Sequence, residues 1–261
     1  MVKIVGILNV TPDSFSDGGK FNSLATATNH LKKILEEGAD VIDIGAESTR
    51  PQATQITAQE EWSRLEKILP ALLHEVKNFS KKSGKKIQTS IDSRHFEVIK
   101  KSYELGIDVV NDVCGLVDEE IVEFIAEKNV TTILMHSLSV PVNTDLIVNP
   151  HINVNEEILN WAMAKISDLE KKGVKKSQLI FDPGIGFGKN AEQSIRILKN
   201  IDAYKALGLP RYIGHSKKSF LDAVKMDGDR AQKTLEISKF LVGKGVDFLR
   251  VHDVGEHVTA L

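Results

Sequence analysis

The chain has 261 residues, 41% hydrophobic and 27% charged, with a formal net charge of −2. That profile fits a globular protein and supplies no basic field for nucleic acid or an anionic membrane. Its one cysteine, Cys114, excludes an intramolecular disulfide and fits a reducing compartment; no apolar stretch approaches the roughly 18–20 residues of a membrane span. An apolar run begins almost at Met1, so the expectation is a cytoplasmic protein with no leader.

In chain order, eight short apolar runs alternate with segments of helical spacing, and the runs carry polar residues at their C-terminal ends. The run 4–10 carries Asn9 and precedes a helix expected over 23–37, where Leu24, Leu31, Ile34 and Leu35 recur at three- and four-residue intervals. The run 41–44 carries Asp43 and leads into Glu47-Ser48-Thr49-Arg50, with a helix over 58–78. The run 87–92 ends at Asp92, with a helix over 94–104; the run 109–113 encloses Asn111 and Asp112, with a helix over 118–128. The run 131–136 ends at His136 (helix 153–172), and the run 179–184 carries Asp182 (helix 190–200). The run 211–216 finishes at His215-Ser216 and enters Lys217-Lys218, with a helix over 229–244. The last run, 248–254, carries Arg250, His252 and Asp253, and a short helix from about Gly255 looks too brief to cover the first strand well.

An unpaired polar side chain in a core costs on the order of 2–7 kcal/mol, and a charge more. Eight runs that each carry such residues toward the same end therefore mark one shared polar site. Strands rich in Val and Ile that alternate with helices imply a parallel sheet covered by helices. Eight repeats with polar residues on every strand favour a single closed (β/α)₈ TIM barrel over residues 1–261, its active site at the C-terminal ends of the strands. A doubly wound open sheet would gather its ligands at one switch point. Three joints share one pattern, Gly38-Ala39-Asp40, Gly106-Ile107-Asp108 and Gly245-Val246-Asp247, and read as turn chemistry without catalytic meaning.

The loops carry the chemistry. Thr11-Pro12-Asp13-Ser14, Phe15, Asp17 and Gly18-Gly19 form a turn-rich first loop, read as a lid bearing a stacking ring. In the second loop, Arg50 offers a forked donor beside Pro51. Asp182-Pro-Gly-Ile-Gly-Phe-Gly-Lys189 lets main chain approach a ligand. It is neither a dinucleotide fingerprint nor a Walker A loop, because its glycine spacing fits neither. Arg250 and His252 share one face of the last strand and suit an anion. Carboxylates and an amide converging from the third, fourth and sixth strands suit a flat heterocycle rich in N–H donors, with Asn111 and Lys218 left to serve its acceptors. Cys114 has no evident activating base and reads as packing.

These strings together resemble the dihydropteroate synthases, collinearly from Gly6 to His257: ILNVTPDSFSDGG at 7–19, ESTRP at 47–51, SID at 90–92, ND at 111–112, MH at 135–136, DPGIGFGK at 182–189, KSF at 218–220 and RVHDV at 250–254. The resemblance implies condensation of 6-hydroxymethyl-7,8-dihydropterin pyrophosphate with p-aminobenzoate, sulfonamides as competitive inhibitors, and a homodimer. It implies Asp92, Asn111, Asp182 and Lys218 around the pterin, with Lys218, Asp182 and Arg250 as the catalytic set. Asn9 would bind Mg²⁺ and, with Thr49, Arg250 and His252, the pyrophosphate. Phe15, Thr49, Pro51, Phe187, Lys218 and Ser219 would frame p-aminobenzoate, and Asp13, Asp17 and Arg50 would belong to mobile loops. Departures from the family pattern are Lys217 for an arginine, Gln52 and Ala46 for glycines, and Ser137–Pro141, which lacks the usual Met and Gly. Two other readings stand beside this one: a methyltetrahydrofolate-dependent methyltransferase domain, and a non-catalytic pterin-binding paralogue. The brief end of the chain also fits one domain of a longer folate-pathway polypeptide.

Overall fold

In the computed structural model, which describes residues 1–10, 19–51 and 53–261, eight parallel strands lie in the order β6-β5-β4-β3-β2-β1-β8-β7. They are β1 (Lys3–Asn9), β2 (Val41–Gly45), β3 (Gln88–Asp92), β4 (Val109–Asp112), β5 (Thr131–Met135), β6 (Leu179–Asp182), β7 (Tyr212–Ile213) and β8 (Phe248–Val251). A bridge from Phe181 to Arg211, with Phe181 N donating to Pro210 O at 2.9 Å, joins β6 to β7 and closes the ring. The helices are α1 (Gly19–Glu36), α2 (Ala58–Leu65), α3 (Leu69–Ser83), α4 (Phe96–Glu104), α5 (Glu119–Lys128), α6 (Val154–Lys171), α7 (Ala191–Lys199), α8 (Arg230–Gly243) and α9 (Val254–Ala260).

The helix expected over 58–78 is two helices. Pro70 has no N–H to return to the carbonyl of Glu66, so a continuous helix would lose a bond and meet the proline ring. The chain breaks after Leu65 and restarts at Leu69, with Pro70 in the first turn, where the missing donor costs nothing. Sequence capping is otherwise direct: Thr57, Asp118, Asn153, Asn190 and Asp229 each accept a backbone N–H of the helix they begin. The short α9 does reach β1, for Val254 is fully buried and stands 3.1 Å from where a Cβ on Gly6 would lie.

The repeated joints serve the barrel's foot. Gly38, Gly106 and Gly245 all take positive φ, at 99°, 104° and 71°, where glycine has no steric penalty. Two residues on, Asp40 accepts from Ile4 N, Asp108 from Thr89 N and Asp247 from Arg211 N, each at 2.8 Å. Each aspartate thus satisfies a donor at the start of the neighbouring strand.

Alternate residues fill the interior. At the lower level Val5, Val41, Val109, Ile133, Ile180 and Tyr212 pack as one apolar layer, with Phe248 against it. Two residues further along their strands, the same face carries Asp43, Asn111, Asp182 and Arg250. The barrel is therefore dry at its foot and ionic toward its mouth.

Candidate active site

Strand register sets the levels of this polar layer. Asp92 lies beside Gly45 on one side and Asn111 on the other, whereas Asp43 lies beside Ser90, one interior level deeper. Gly45 makes the room: a Cβ there would stand 3.3 Å from the Cβ of Asp92. Arg250 Nε donates to Asp43 Oδ2 at 2.6 Å and its NH2 to Asp92 Oδ2 at 2.7 Å. Asn111 Nδ2 donates to Asp43 at 3.2 Å and 3.4 Å. Burial pushes the Asp92 carboxyl up to about 7, although Arg250 pulls against it. Two nitrogens of Arg250 are thus committed inside the mouth, which leaves NH1 without a partner among the described residues.

On the opposite side, Asp182 Oδ1 accepts from Gly184 N at 2.7 Å, and burial raises this carboxyl also. Its Oδ2 lies 3.9 Å from where a Cβ on Gly214 would stand, and Arg250 Cδ 3.8 Å from the same point, so Gly214 opens the space between them. Lys218 Nζ donates to Ile185 O at 2.6 Å and lies 4.7 Å from the Phe187 ring centre. Burial lowers its ammonium to about 8, with Asp182 holding it up. Phe187 packs with Val113, Met135, Val140 and Val142 into an apolar wall. Val142 N donates to Thr49 O at 3.3 Å, so the second loop meets the fifth at that wall.

His252, beyond Arg250, shares a hydrogen bond with Ser216 Oγ at 2.9 Å through Nδ1. Burial, then Arg250, lowers its imidazole to about 4, so the ring is neutral at pH 7. Asn9 ends β1 beside Gly45. Arg50, Pro51 and Ser219 are exposed around the rim. Phe15, Asp13 and Asp17 lie outside the described residues. Asp43, Asp92, Asn111, Asp182, Lys218 and Arg250 are brought together; Asn9, Thr49, Phe187 and His252 stand on the strand ends and loops about them. Lys217, where an arginine is usual, turns away at a φ of 55° and pairs with Asp253 at 2.8 Å.

Sequence reasoning missed four supports. Asp43 was noted as a polar strand residue but given no role. Arg94 grips both oxygens of Glu47 at 2.9 Å and 3.0 Å, and Ile56 N adds a third bond to Glu47 at 3.1 Å. Lys189 Nζ, buried, reaches His136 Nδ1 at 2.7 Å and His136 O at 2.8 Å, tying the glycine loop to β5. Glu61 is buried behind the second loop, with Ser93 Oγ donating to it at 2.8 Å. Glu47, Glu61 and His95 bring possible metal donors within 4.8 Å of one another. Arg94 already occupies Glu47, and burial raises Glu61 to about 8, so a proton holds this cluster. Asp112, by contrast, faces away and receives Cys114 N and Leu116 N, both at 2.8 Å. The Cys114 thiol is pushed up to about 12 by burial and Asp112, which makes it inert at neutral pH.

A closed barrel whose mouth gathers buried carboxylates, an amide, a lysine and an arginine has the chemistry to receive a flat, donor-rich ring. The family model described as pterin binding enzyme matches residues 5–252. The chain belongs to that family, and within it to the dihydropteroate synthases, which are transferases. It is 37% identical over 265 residues to the dihydropteroate synthase of Clostridium beijerinckii, covering 98% of this chain and 91% of that one. A probable bifunctional folylpolyglutamate synthase/dihydropteroate synthase of Halobacterium salinarum is 38% identical over 259 residues, 99% of this chain but 30% of that protein. The chain thus spans about a third of such bifunctional relatives. Among solved structures, dihydropteroate synthase from Anaplasma phagocytophilum with bound 6-hydroxymethylpterin-monophosphate superposes at a TM-score of 0.88, with 37% identity and coverage of 99% and 96%. The Xanthomonas albilineans enzyme with 4-aminobenzoic acid follows at 0.86, with 30% identity and coverage of 99% and 90%.

Proposed function

We propose that residues 1–261 act as one domain that joins 6-hydroxymethyl-7,8-dihydropterin pyrophosphate to p-aminobenzoate, forming 7,8-dihydropteroate and releasing pyrophosphate. The carrying observation is the convergence of Asp92, Asn111, Asp182, Lys218 and Arg250 from five separate segments onto one mouth. Asp182 and Asp92 accept from the amino-pyrimidinone edge, and Lys218 donates to the ring from its other side. Thr49, His252 and the remaining nitrogen of Arg250 take the pyrophosphate, while Phe187, Lys218, Pro51 and Ser219 frame p-aminobenzoate, where sulfonamides compete.

The C–O bond to pyrophosphate breaks first, and the leaving group departs with the electron pair. The buried carboxylates stabilise the positive charge that spreads from the methylene into the ring. The aniline nitrogen then bonds to that carbon and loses a proton, and no protein nucleophile is required. Mg²⁺ suits the single neutral oxygen of Asn9, since this ion takes one or two protein oxygens and completes its shell with phosphate and water; when bound it would neutralise the diphosphate. The sequence expectations of a homodimer and of a cytoplasmic site of action, with its free thiol, belong to this proposal as well; no described helix is long and apolar enough to cross a membrane.

Measuring pyrophosphate release with and without p-aminobenzoate tests the reading. Release that depends on the amine supports the synthase. Methyl transfer from methyltetrahydrofolate in its place would establish the methyltransferase reading, and pterin binding without turnover would leave a paralogue that binds only.

A further inference from the structure

Asp43 touches Asn111, assigned to the ring, and Arg250, assigned to the pyrophosphate, and it stands a level beneath Asn111, fully buried at 0% exposure. A carboxylate accepts hydrogen bonds and donates none. Arg250 Nε, a pure donor, holds Asp43 Oδ2 at 2.6 Å, and Asn111 must meet the same carboxylate with its NH₂ group at 3.2 Å. The amide of Asn111 can therefore face only one way, with Nδ2 down toward Asp43 and Oδ1 toward the mouth. This reverses the sequence expectation that Asn111 would serve ring acceptors.

We infer that Asp43 is a positioning residue that fixes the polarity of Asn111, so that the floor of the mouth presents three acceptors and selects a ring whose edge is rich in N–H donors. The other two acceptors are the second oxygens of Asp92 and Asp182, whose first oxygens are taken by Arg250 NH2 and Gly184 N. Lys218 is the donor facing them. The inference deepens the pterin reading and rests on it.

Exchanging the two residues tests this, because Asp43→Asn with Asn111→Asp leaves the net charge unchanged. In Asp43→Asn alone, the new amide must keep its oxygen on Arg250, which sets its NH₂ at the Oδ1 position, 3.4 Å from Asn111 Nδ2, donor against donor, and favours the turned-over amide whose Oδ1 accepts from it. The mouth then offers a donor where it had offered an acceptor, and affinity should fall about 10- to 100-fold. Asn111→Asp alone sets two carboxylates against each other and should weaken binding by a similar factor. In the double variant the amide at position 43 donates to the carboxylate at 111, whose other oxygen again faces the ring. Its affinity should return to within about fivefold of the unmodified protein.

The probe is 6-hydroxymethylpterin-monophosphate, with Kd read by calorimetry and folding by thermal melting. In turnover, the KM for the pterin substrate should move with these Kd values while that for p-aminobenzoate holds, which a general loosening of the barrel would not produce. Equal binding by the unmodified protein and Asp43→Asn overturns the inference alone. A folded double variant no better than the worse single one also overturns it, and this holds even where Asp43→Asn by itself does not fold. Failure of the unmodified protein to bind the probe would overturn the pterin reading first and this inference with it.

Discussion

Replacing Glu61 by glutamine should make the protein more stable, and increasingly so as pH rises. Glu61 is fully buried on α2; Oε2 accepts from Ser93 Oγ at 2.8 Å, and Oε1 has no partner among the described residues. Burial, the largest influence, with Glu47 and Asp92 adding and Ser93 opposing, raises its carboxyl from 4.5 to about 8. The folded state consequently binds this proton more tightly than the unfolded chain does. The stabilisation is complete below pH 4.5, declines as pH rises from there to about 8, and is level beyond. At 1.36 kcal/mol for each pH unit, the loss is about 3 kcal/mol at pH 7 and about 5 kcal/mol at pH 8. Glutamine keeps an oxygen for Ser93, points an N–H donor at Glu47 and His95, and never ionises. Urea unfolding of both proteins at pH 5, 7 and 8.5 should give nearly equal stabilities in acid and a gap of a few kcal/mol at the alkaline end. Two stability curves that run parallel across this range would refute the reasoning.

Lys218→Ala removes the half-buried ammonium between Asp182 and Phe187 and should lower turnover by about 100-fold or more, read as kcat in the pyrophosphate assay; near-normal rates would displace Lys218 from the catalytic set. Asp182→Asn keeps the oxygen that receives Gly184 N but turns the other position from acceptor into donor, so pterin affinity should fall about 10- to 100-fold by calorimetry, and an unchanged Kd would contradict the assignment. Gly184→Ala places a Cβ against the carbonyl oxygen of His136 at a φ of 69°, so it should displace the 184–189 loop and abolish measurable pterin binding. Retained affinity with an unchanged melting temperature would show that the loop can yield there.

The fold was legible because each strand repeats one pattern. Val and Ile fix the buried run, a polar residue marks the mouth, and at β2, β4 and β8 a Gly-x-Asp joint marks the foot. Pro70 was equally visible and divides the second helix, but the apolar spacing of Leu65, Ile68, Leu69 and Leu72 runs on through it. The shortness of β7 was not visible in Arg211–Ser216, since it reflects how few bonds the chain makes with β6 and β8. At the site, Asp92, Asn111 and Asp182 could be named singly, each being a polar residue where a core should be, and Lys218 as a lysine just past the seventh run. Their pairing could not. Arg250 and Asp43 are 207 residues apart, and only closure of the ring makes them neighbours. The same holds for Glu47 with Arg94 and for His136 with Lys189, where each partner alone looks like an ordinary loop residue.

The aspartates at the lower rim give the molecule a division of labour. Asp40, Asp108 and Asp247 lock neighbouring strands at the end remote from the ligand, so the scaffold does not depend on the groups that perform chemistry. Evolution, or an engineer, can therefore revise the upper rim for a different ring or acceptor amine while the lower one keeps the strands in step.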